Sequence, residues 1–295
     1  MWRGCLTALL TPFRGGEIDF AALERLVDAQ VAGGVQGVVP CGSTGESATL
    51  THDEHIRVVE AVVRFARGRV PVIAGTGSNS TAEAVRLTRA AEEAGAAGAL
   101  LLSPYYNKPT QEGIYQHYAA VAEATKLPLV VYNIPGRTAS NILPETIARL
   151  SQIENIVGVK EASGSMQQVI EIIAAAEPGF AVWSGDDVMT LPIVAAGGAG
   201  AIAVSSNIVP GRFVAVTDAL LAGDFARARD LMYDLLPLVR VLTMRFEVNP
   251  IPVKTAAALI GLCAEEFRLP LTPMSPENRA QLERVLREYA LVPGA

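Results

Sequence analysis

The feature that most restricts the fold of this chain is a series of eight short apolar segments. Each runs for five to seven residues without the alternation of apolar and polar positions that a half-exposed strand would have. Continuous apolar segments are typical of parallel strands buried on both faces of a sheet. The sequence therefore predicts eight buried strands, at residues 5–10, 35–40, 70–75, 98–102, 127–132, 156–160, 180–184 and 199–205.

Helical patterns separate most of these strands. Residues 20–32, 53–66 and 81–94 have apolar side chains at spacings of three and four, which indicates amphipathic helices. Thr51 with Glu54, and Ser80 with Glu83, have the spacing of capping boxes at two helix starts. Eight strands that alternate with helices predict a (β/α)8 barrel. A doubly wound open sheet is the alternative, but the first strand is not followed by the glycine fingerprint that such a sheet needs.

The strand pattern stops after residue 205, and helical patterns replace it. They cover residues 225–238, 252–264 and 277–291, with prolines between them. A chain of 295 residues can form one large domain or two smaller ones. We predict a catalytic barrel over residues 1–224 and a C-terminal helical extension over residues 225–295.

Charge and cysteine content argue against several classes of protein. The formal net charge is −6 and the basic residues do not form a stripe, which argues against nucleic acid or an anionic membrane as a partner. No apolar run approaches the length of about 18 residues that a membrane span needs. Cys5, Cys41 and Cys263 match neither a disulfide framework nor a zinc site, so we expect a cytoplasmic protein.

The reactive groups of a (β/α)8 barrel lie at the carboxyl ends of its strands and in the loops that follow them. Several predicted strand ends in this chain have side chains suited to chemistry. A loop with two hydroxyls follows strand two, tyrosines follow strand four, a tyrosine and an arginine follow strand five, and an amine ends strand six. The candidate residues are Ser43, Thr44, Tyr105, Tyr106, Tyr132, Arg137 and Lys160.

Lys160 is the most informative of these, because it is one of only four lysines and ends an apolar strand. Burial lowers the pKa of an amine and allows it to attack a carbonyl carbon. On position alone, such a lysine more often reaches out to water or pairs with a neighbour such as Glu161. Tyr132 as a proton carrier and Arg137 as a carboxylate partner favour imine chemistry instead. Since the imine itself accepts electrons, we expect neither a metal nor a cofactor.

Several motifs, in order along the chain, resemble those of the pyruvate-dependent class I aldolase superfamily, and most closely those of its dihydrodipicolinate synthase family. They are Gly-Ser-Thr-Gly-Glu at 42–46, Pro-Tyr-Tyr-Asn at 104–107, Tyr-Asn-Ile-Pro-Gly-Arg at 132–137, Gly-Val-Lys-Glu-Ala at 158–162 and Asn-Pro-Ile-Pro-Val-Lys at 249–254. Because the last motif lies in the predicted extension, the resemblance covers essentially the whole chain. It implies an enzyme of the lyase class.

The resemblance implies a condensation of two small substrates. Lys160 would form an imine with pyruvate, and the enamine would attack the aldehyde of L-aspartate-4-semialdehyde. Cyclisation would give 4-hydroxy-tetrahydrodipicolinate, on the route to diaminopimelate and lysine. Tyr132 would move a proton beside the imine, and Thr44 and Ser43 would link it to Tyr106 of a neighbouring subunit. The implied assembly is a homotetramer built from tight dimers.

Substrate-binding residues follow from the same resemblance. Arg137 would orient the semialdehyde carboxylate, and Gly185 and the carbonyl of Ile202 would line the pyruvate pocket. The chain has Ser43 where the family usually has threonine, which keeps the hydroxyl but loses a methyl group that restricts χ1. N-acetylneuraminate lyases also have the motif at 42–46. A lyase for that sugar acid or for a 2-keto-3-deoxy sugar acid is therefore an alternative, as is a carboxylate-binding barrel without activity.

Two histidines near a predicted helix start, His52 and His55, indicate a second binding site, for a metal or for a small molecule. Zinc is a poor interpretation, because they are three residues apart and no third histidine is close in the sequence. The resemblance implies instead a site for free L-lysine at a subunit interface. Its residues would be Ser47, Ala48, His52, His55, Asn79, Glu83 and Tyr105. Since Tyr105 is adjacent to Tyr106, we expect feedback inhibition by L-lysine to act through this segment.

Overall fold

Eight parallel strands form the centre of the structure, a computed structural model that describes residues 1–243 and 247–292. They are β1 (Gly4–Ala8), β2 (Gly37–Val39), β3 (Ile73–Gly75), β4 (Gly98–Leu102), β5 (Leu129–Asn133), β6 (Ile156–Glu161), β7 (Ala181–Ser184) and β8 (Gly200–Ala203). The strands pair in the order β2-β1-β8-β7-β6-β5-β4-β3, and a parallel bridge between Val38 and Val72 joins the two ends. The predicted (β/α)8 barrel is confirmed, and the open doubly wound sheet is wrong.

Helices follow the strands around the barrel and continue beyond it. They are α1 (Phe20–Ala32), α2 (His52–Ala66), α3 (Thr81–Glu93), α4 (Gln111–Glu123), α5 (Pro135–Thr138), α6 (Pro144–Leu150), α7 (Met166–Ala175), α8 (Thr190–Ala195), α9 (Pro210–Leu221), α10 (Phe225–Leu242), α11 (Ile251–Leu259) and α12 (Pro276–Glu288). Residues 244–246 and 293–295 of the predicted extension lie outside the described residues. The boundary between residues 224 and 225 stays a prediction.

Local chemistry explains where the elements differ from the predicted ones. β2 and β3 have only three residues each, and prolines without an N–H donor, Pro40 and Pro71, flank them. Helix α11 ends at Leu259 instead of the predicted residue 264, shortly before Gly261 with its positive φ of 82°. A hairpin of Phe13–Arg14 with Glu17–Ile18 was not predicted, because two-residue strands have too little pattern to detect.

The two predicted capping boxes have different outcomes. The one at Thr51 is confirmed, since its side chain accepts a hydrogen bond from the Glu54 N–H and its own N–H donates to the Glu54 carboxylate. The one at Ser80 is wrong, because the Ser80 side chain makes no capping hydrogen bond. Glu83 accepts a hydrogen bond from the Ser78 hydroxyl instead. A nearby serine and the ion pair of Glu83 with His52 of α2 therefore replace the capping pattern at this helix.

Inward-facing side chains of the strands fill the barrel. They include Leu6, Val39, Ile73, Leu100, Val130, Tyr132, Trp183 and Ile202, all almost fully buried. Tyr132 on β5 and Lys160 on β6 are register partners close to the carboxyl ends of their strands. The packed interior of the barrel therefore lies beneath these two polar groups and supports them. Within the described residues, no helix combines the length and hydropathy needed to cross a membrane.

Candidate active site

Lys160 and Tyr132 form the centre of the candidate site. The Lys160 side chain is buried, with the residue 4% exposed, and its Nζ lies 4.3 Å from the centre of the Tyr132 ring. Glu161, the partner in the alternative interpretation of Lys160, accepts hydrogen bonds from Asn133 Nδ2 (3.0 Å) and from the Ser163 N–H (2.6 Å). The alternative of a lysine that reaches into water or pairs with Glu161 is therefore wrong.

The electrostatic surroundings bring the amine of Lys160 close to neutrality at physiological pH. Burial lowers the pKa of Lys160 to about 8, because the ammonium loses its hydration. The Asp187 carboxylate opposes this shift, and the Arg137 guanidinium adds to it. Asp187 is itself buried and accepts hydrogen bonds from the N–H groups of Val204 (3.0 Å) and Ser205 (2.7 Å). An appreciable fraction of the amine is thus in the nucleophilic form.

The phenol of Tyr132 is held in its protonated form. Burial raises the pKa of Tyr132 to about 12, against the lowering effects of the Arg137 charge and of a hydrogen bond with the Ser43 side chain. A protonated phenol beside an amine can give a proton to an intermediate and take it back. Tyr132 and Ser43 line the same cavity as Lys160.

The loop at residues 42–46 is held by the C-terminal extension and by Thr11. Asn249 Nδ2 donates to Thr44 Oγ1 (3.1 Å), and Lys254 Nζ donates to Glu46 Oε1 (2.6 Å). Thr11 Oγ1 donates to the carbonyl oxygen of Gly45 (2.7 Å). These contacts fix the hydroxyl-bearing loop against the mouth of the barrel.

Arg137 follows β5 in the short helix α5 and lies beside the same loop. Its Nη2 donates to the carbonyl oxygen of Asn249 (2.9 Å). Asn249 therefore contacts both Thr44 and Arg137, although nothing in the local sequence around residue 137 indicates it. The guanidinium is oriented by this contact and also lines the cavity that contains Lys160.

A cavity of about 590 Å³ contains these groups. It extends from Lys160 to α10, and the residues that line it include Ser43, Thr44, Tyr132, Arg137, Lys160, Gly185, Asp186, Asp187, Val204, Arg240 and Asn249. A Cβ atom on Gly185 would lie 3.1 Å from Lys160 Cε, so this position leaves room only for glycine beside the amine. The Ile202 side chain is packed inside the barrel and Val204 lines the cavity, so the role of the Ile202 carbonyl stays a prediction.

Tyr106 is not brought into this site within the single chain. Its side chain is 87% exposed, and its φ is 72°. It lines neither this cavity nor the second cavity, which adjoins it and is described below. The side chain is therefore directed to where a second molecule can reach it.

A second cavity of about 390 Å³ adjoins the first. The structure brings six of the seven predicted effector residues to its lining, namely Ser47, Ala48, His52, His55, Glu83 and Tyr105, whereas Asn79 is absent from it. Glu83 forms an ion pair with His52 and accepts a hydrogen bond from Ser78, and these contacts hold the pKa of the Glu83 carboxyl below its usual value. Ser43, Tyr132, Arg137 and Asn249 line both cavities.

His55 is a structural residue of this second cavity. Its Nε2 lies 2.7 Å from the carbonyl oxygen of Gly75, and burial lowers its pKa. In the part of the chain that the structure describes, no group of three or more His, Cys, Asp or Glu side chains is placed to hold a metal ion.

Three residues that line the first cavity have little signal in the sequence. Asn249 belongs to a recognised motif, but its contact with Thr44 spans 205 residues. Asp187 follows β7 and has no role among the predicted site residues, and Arg240 lies in the predicted extension, outside the predicted site. The C-terminal extension brings Asn249 and Arg240 to the barrel mouth, where Asp187 already lies after β7.

A closed barrel with an amine, a phenol and a guanidinium at the carboxyl ends of its strands defines the chain as a (β/α)8-barrel enzyme. Comparison with known families makes this specific. Residues 1–289 match the model of the Dihydrodipicolinate synthetase family, and the chain belongs to that family. The family resemblance seen in the sequence is confirmed, as is the prediction of a lyase.

Individual relatives agree over the whole chain. The 4-hydroxy-tetrahydrodipicolinate synthase of Syntrophus aciditrophicus is 53% identical over 292 residues, which are 99% of this chain and 100% of that protein. The dihydrodipicolinate synthase structure from Aquifex aeolicus has a TM-score of 0.97 and 48% identity, and each chain is covered to 100%.

Two further solved structures contain ligands. The enzyme from Acinetobacter baumannii, complexed with pyruvate, has a TM-score of 0.96 and 42% identity over 99% of this chain and 100% of that one. The enzyme from Cyanidioschyzon merolae, with lysine bound, has a TM-score of 0.95 and 37% identity over 99% of both chains.

Proposed function

We propose that this chain condenses pyruvate with L-aspartate-4-semialdehyde to give 4-hydroxy-tetrahydrodipicolinate, in the diaminopimelate route to lysine. The observation that carries the proposal is the buried amine of Lys160, whose pKa is lowered to about 8 and whose Nζ lies 4.3 Å from the centre of the Tyr132 ring. Relatives named 4-hydroxy-tetrahydrodipicolinate synthase, and a related structure complexed with pyruvate, support this choice of substrates.

The reaction begins on the amine of Lys160. Its lone pair attacks the keto carbon of pyruvate, and loss of water gives an imine. Removal of a proton from the pyruvate methyl group gives the enamine, which forms a carbon–carbon bond with the aldehyde carbon of the semialdehyde. The amino group of the semialdehyde then attacks the imine carbon, closes the ring and releases Lys160 as the free amine. One water molecule is lost overall, and no external oxidant or reductant is consumed.

Neighbouring residues transfer protons and bind the carboxylates of the substrates. Tyr132, protonated because its pKa is raised to about 12, passes protons to and from the intermediates on Lys160. Ser43 and Thr44 place hydroxyls toward the pyruvate carboxylate, and Arg137 binds the carboxylate of the semialdehyde. The imine serves as the electron sink, so the proposal needs no cofactor.

Borohydride trapping tests the covalent step. Treatment with pyruvate and sodium borohydride is expected to leave a reduced adduct on the peptide that contains Lys160. Lys254 is a matched control, since it is also buried but its Nζ is paired with Glu46 (2.6 Å) and it does not line the cavity that contains Lys160. Lys160→Arg should abolish the adduct. If pyruvate leaves no adduct on Lys160, the proposed mechanism is wrong.

Substrate turnover separates the synthase from other pyruvate aldolases. We expect the protein to consume aspartate semialdehyde in the presence of pyruvate, and to leave N-acetylneuraminate and 2-keto-3-deoxygluconate unchanged. Arg137 supports this expectation, because a neutral sugar chain has less use for a guanidinium at the cavity mouth. Cleavage of either sugar acid without semialdehyde turnover would identify the alternative activity.

We also propose a homotetramer, in which Tyr106 completes the proton relay of a neighbouring subunit. The exposed position of Tyr106 in the single chain supports this. A mixing experiment tests it: Lys160→Ala and Tyr106→Phe proteins, each with little activity, are combined and allowed to exchange subunits. Activity should return, because one site of each mixed pair has both intact residues. If activity does not return while mixed oligomers form, the relay does not cross the interface.

The second cavity is proposed as a site for L-lysine that inhibits the enzyme. Glu83 would pair with the α-amino group of lysine, and Asn79 and Tyr105 would hold its carboxylate. The ionised state of Glu83 and the lining shared by the two cavities support this, together with the lysine-bound relative. Rates at rising lysine concentration, with calorimetry, provide the test. Glu83→Gln should weaken inhibition, whereas Glu93→Gln on the exposed face of the same helix should not.

A further inference from the structure

Arg240 is a second guanidinium at the catalytic cavity. It lies in the last turn of α10, two residues before Leu242, and it lines the cavity together with Arg137 and Lys160. Within the described residues, Arg240 has no ion pair and no side-chain hydrogen bond, unlike Arg229 on the same helix, which pairs with Asp230 at 2.8 Å. An arginine side chain that faces a cavity without a carboxylate partner is suited to bind an anionic ligand.

The position of Arg240 separates it from the groups already assigned. Helix α10 packs against the turn Asp187–Met189 that follows β7, whereas Arg137 follows β5 in α5. Arg137 is oriented by the carbonyl oxygen of Asn249. The two guanidinium groups therefore enter the cavity from different elements, and a ligand with two carboxylates can engage both.

We propose that Arg240 forms a second carboxylate-binding position, which acts with Arg137 to hold a dicarboxylate. This inference rests on the proposed function, since the cyclised product has two carboxylates while each substrate has one. Once the ring has left Lys160, one carboxylate binds Arg137 and the other binds Arg240. The outer part of the cavity thus distinguishes the product from pyruvate by charge.

Binding of two pyridine carboxylates tests the proposal. Pyridine-2,6-dicarboxylate has the two carboxylates of the product on a similar ring, and pyridine-2-carboxylate has one. Calorimetry at low salt is expected to show that Arg240→Gln lowers the affinity for the dicarboxylate by about five- to tenfold. This is the size of the contribution of a charge-assisted contact at a partly exposed site. The affinity for the monocarboxylate should stay within about twofold, because Arg137 is intact. Arg240→Lys should restore part of the lost affinity.

Controls separate this effect from general electrostatics and from the failure of the proposed function. Arg229→Gln, which removes a charge from the same helix outside the cavity, should leave both affinities unchanged. Borohydride trapping of pyruvate on Lys160 should be the same in Arg240→Gln and in the unmodified protein. Absence of that adduct in both would refute the proposed function on its own. The role of Arg240 would be overturned if Arg240→Gln lowered the affinity for both pyridine ligands equally or left the affinity for the dicarboxylate unchanged. It would also be overturned if the unmodified protein did not bind the dicarboxylate.

Discussion

Lys254 Nζ lies 2.6 Å from Glu46 Oε1, and both side chains are completely buried although 208 residues separate them in the sequence. Lys254 also lies 4.0 Å from the centre of the Phe13 ring. Glu46 ends the loop at residues 42–46, and Lys254 lies on α11. The ion pair therefore ties the hydroxyl-bearing loop of the catalytic cavity to the C-terminal helices.

Removal of one partner tests how strongly this contact stabilises the fold. Lys254→Met leaves the Glu46 carboxylate buried without its cation, so the free energy of unfolding should fall by about 3–5 kcal/mol. Urea denaturation followed by circular dichroism measures this. The double variant Glu46→Gln/Lys254→Met removes both charges. Its free energy of unfolding should fall by less than that of the single variant. Equal losses would show that the carboxylate gains little from the ammonium.

The ion pair of Glu54 with Arg268 (2.6 Å) predicts a pH dependence of stability. Its hydrogen bonds lower the folded-state pKa of Glu54 from 4.5 to about 2. A lowered pKa contributes stability above the unfolded value of 4.5, and this contribution is lost as the pH falls toward 2. We expect Glu54→Gln to lower the free energy of unfolding by up to about 3 kcal/mol near neutral pH, and by progressively less toward pH 2. Asp53→Asn, at an exposed neighbouring position, should show no such trend.

The barrel could be predicted because its signal is local. Each strand is a continuous apolar run, and each of the first three helices begins and ends within one residue of its predicted bounds. The capping box at Ser80 could not be excluded locally, since Glu83 also pairs with His52 of the preceding helix. Burial of a strand follows from its own residues, whereas competition for a side chain depends on the rest of the fold.

The site was predictable to the extent that it is built from strand ends. Lys160 and Tyr132 meet because parallel strands place their carboxyl ends at the same edge. Asn249 and Arg240 reach the cavity only through the packing of the C-terminal helices, which has no signature in their own neighbourhoods. Tyr106 is exposed in the single chain, so the relay proposed for it requires a second molecule.

The lowered pKa of Lys160, about 8, predicts how the rate of imine formation depends on pH. Only the neutral amine attacks pyruvate, so the rate should rise with pH and level off above pH 8. Stopped-flow measurement of imine formation gives the midpoint. Asp187→Asn should move it downward, because an anion that stabilises the ammonium is lost, and Arg137→Ala should move it upward. A midpoint near 10.5, the ordinary value, would contradict the effect of burial.

Arg137→Ala should affect the two substrates unequally. Because the guanidinium is assigned to the semialdehyde carboxylate, the KM for the semialdehyde should rise about 100-fold, while the KM for pyruvate should change by less than about threefold. Steady-state kinetics with each substrate varied in turn measures both values. Arg149→Ala, at an exposed arginine that pairs with Glu112 (2.8 Å), is a control expected to change neither. A similar rise in both KM values would contradict the assignment of Arg137 to the semialdehyde carboxylate.

Gly185→Ala tests whether the space beside Lys160 is needed for catalysis. The new Cβ would lie 2.7 Å from Ala162 Cβ and 3.1 Å from Lys160 Cε, so the lysine side chain must move to accept it. A displacement of the amine by up to about 1 Å is expected to lower kcat by up to about 100-fold. Gly136→Ala is a matched control, because Gly136 lines the same cavity but a Cβ there meets nothing within 4 Å. Pyruvate trapping and kcat should fall together in Gly185→Ala and persist in Gly136→Ala. Full activity in Gly185→Ala would show that the pocket around Lys160 tolerates a methyl group and that the proposed fit to pyruvate is looser than the geometry indicates.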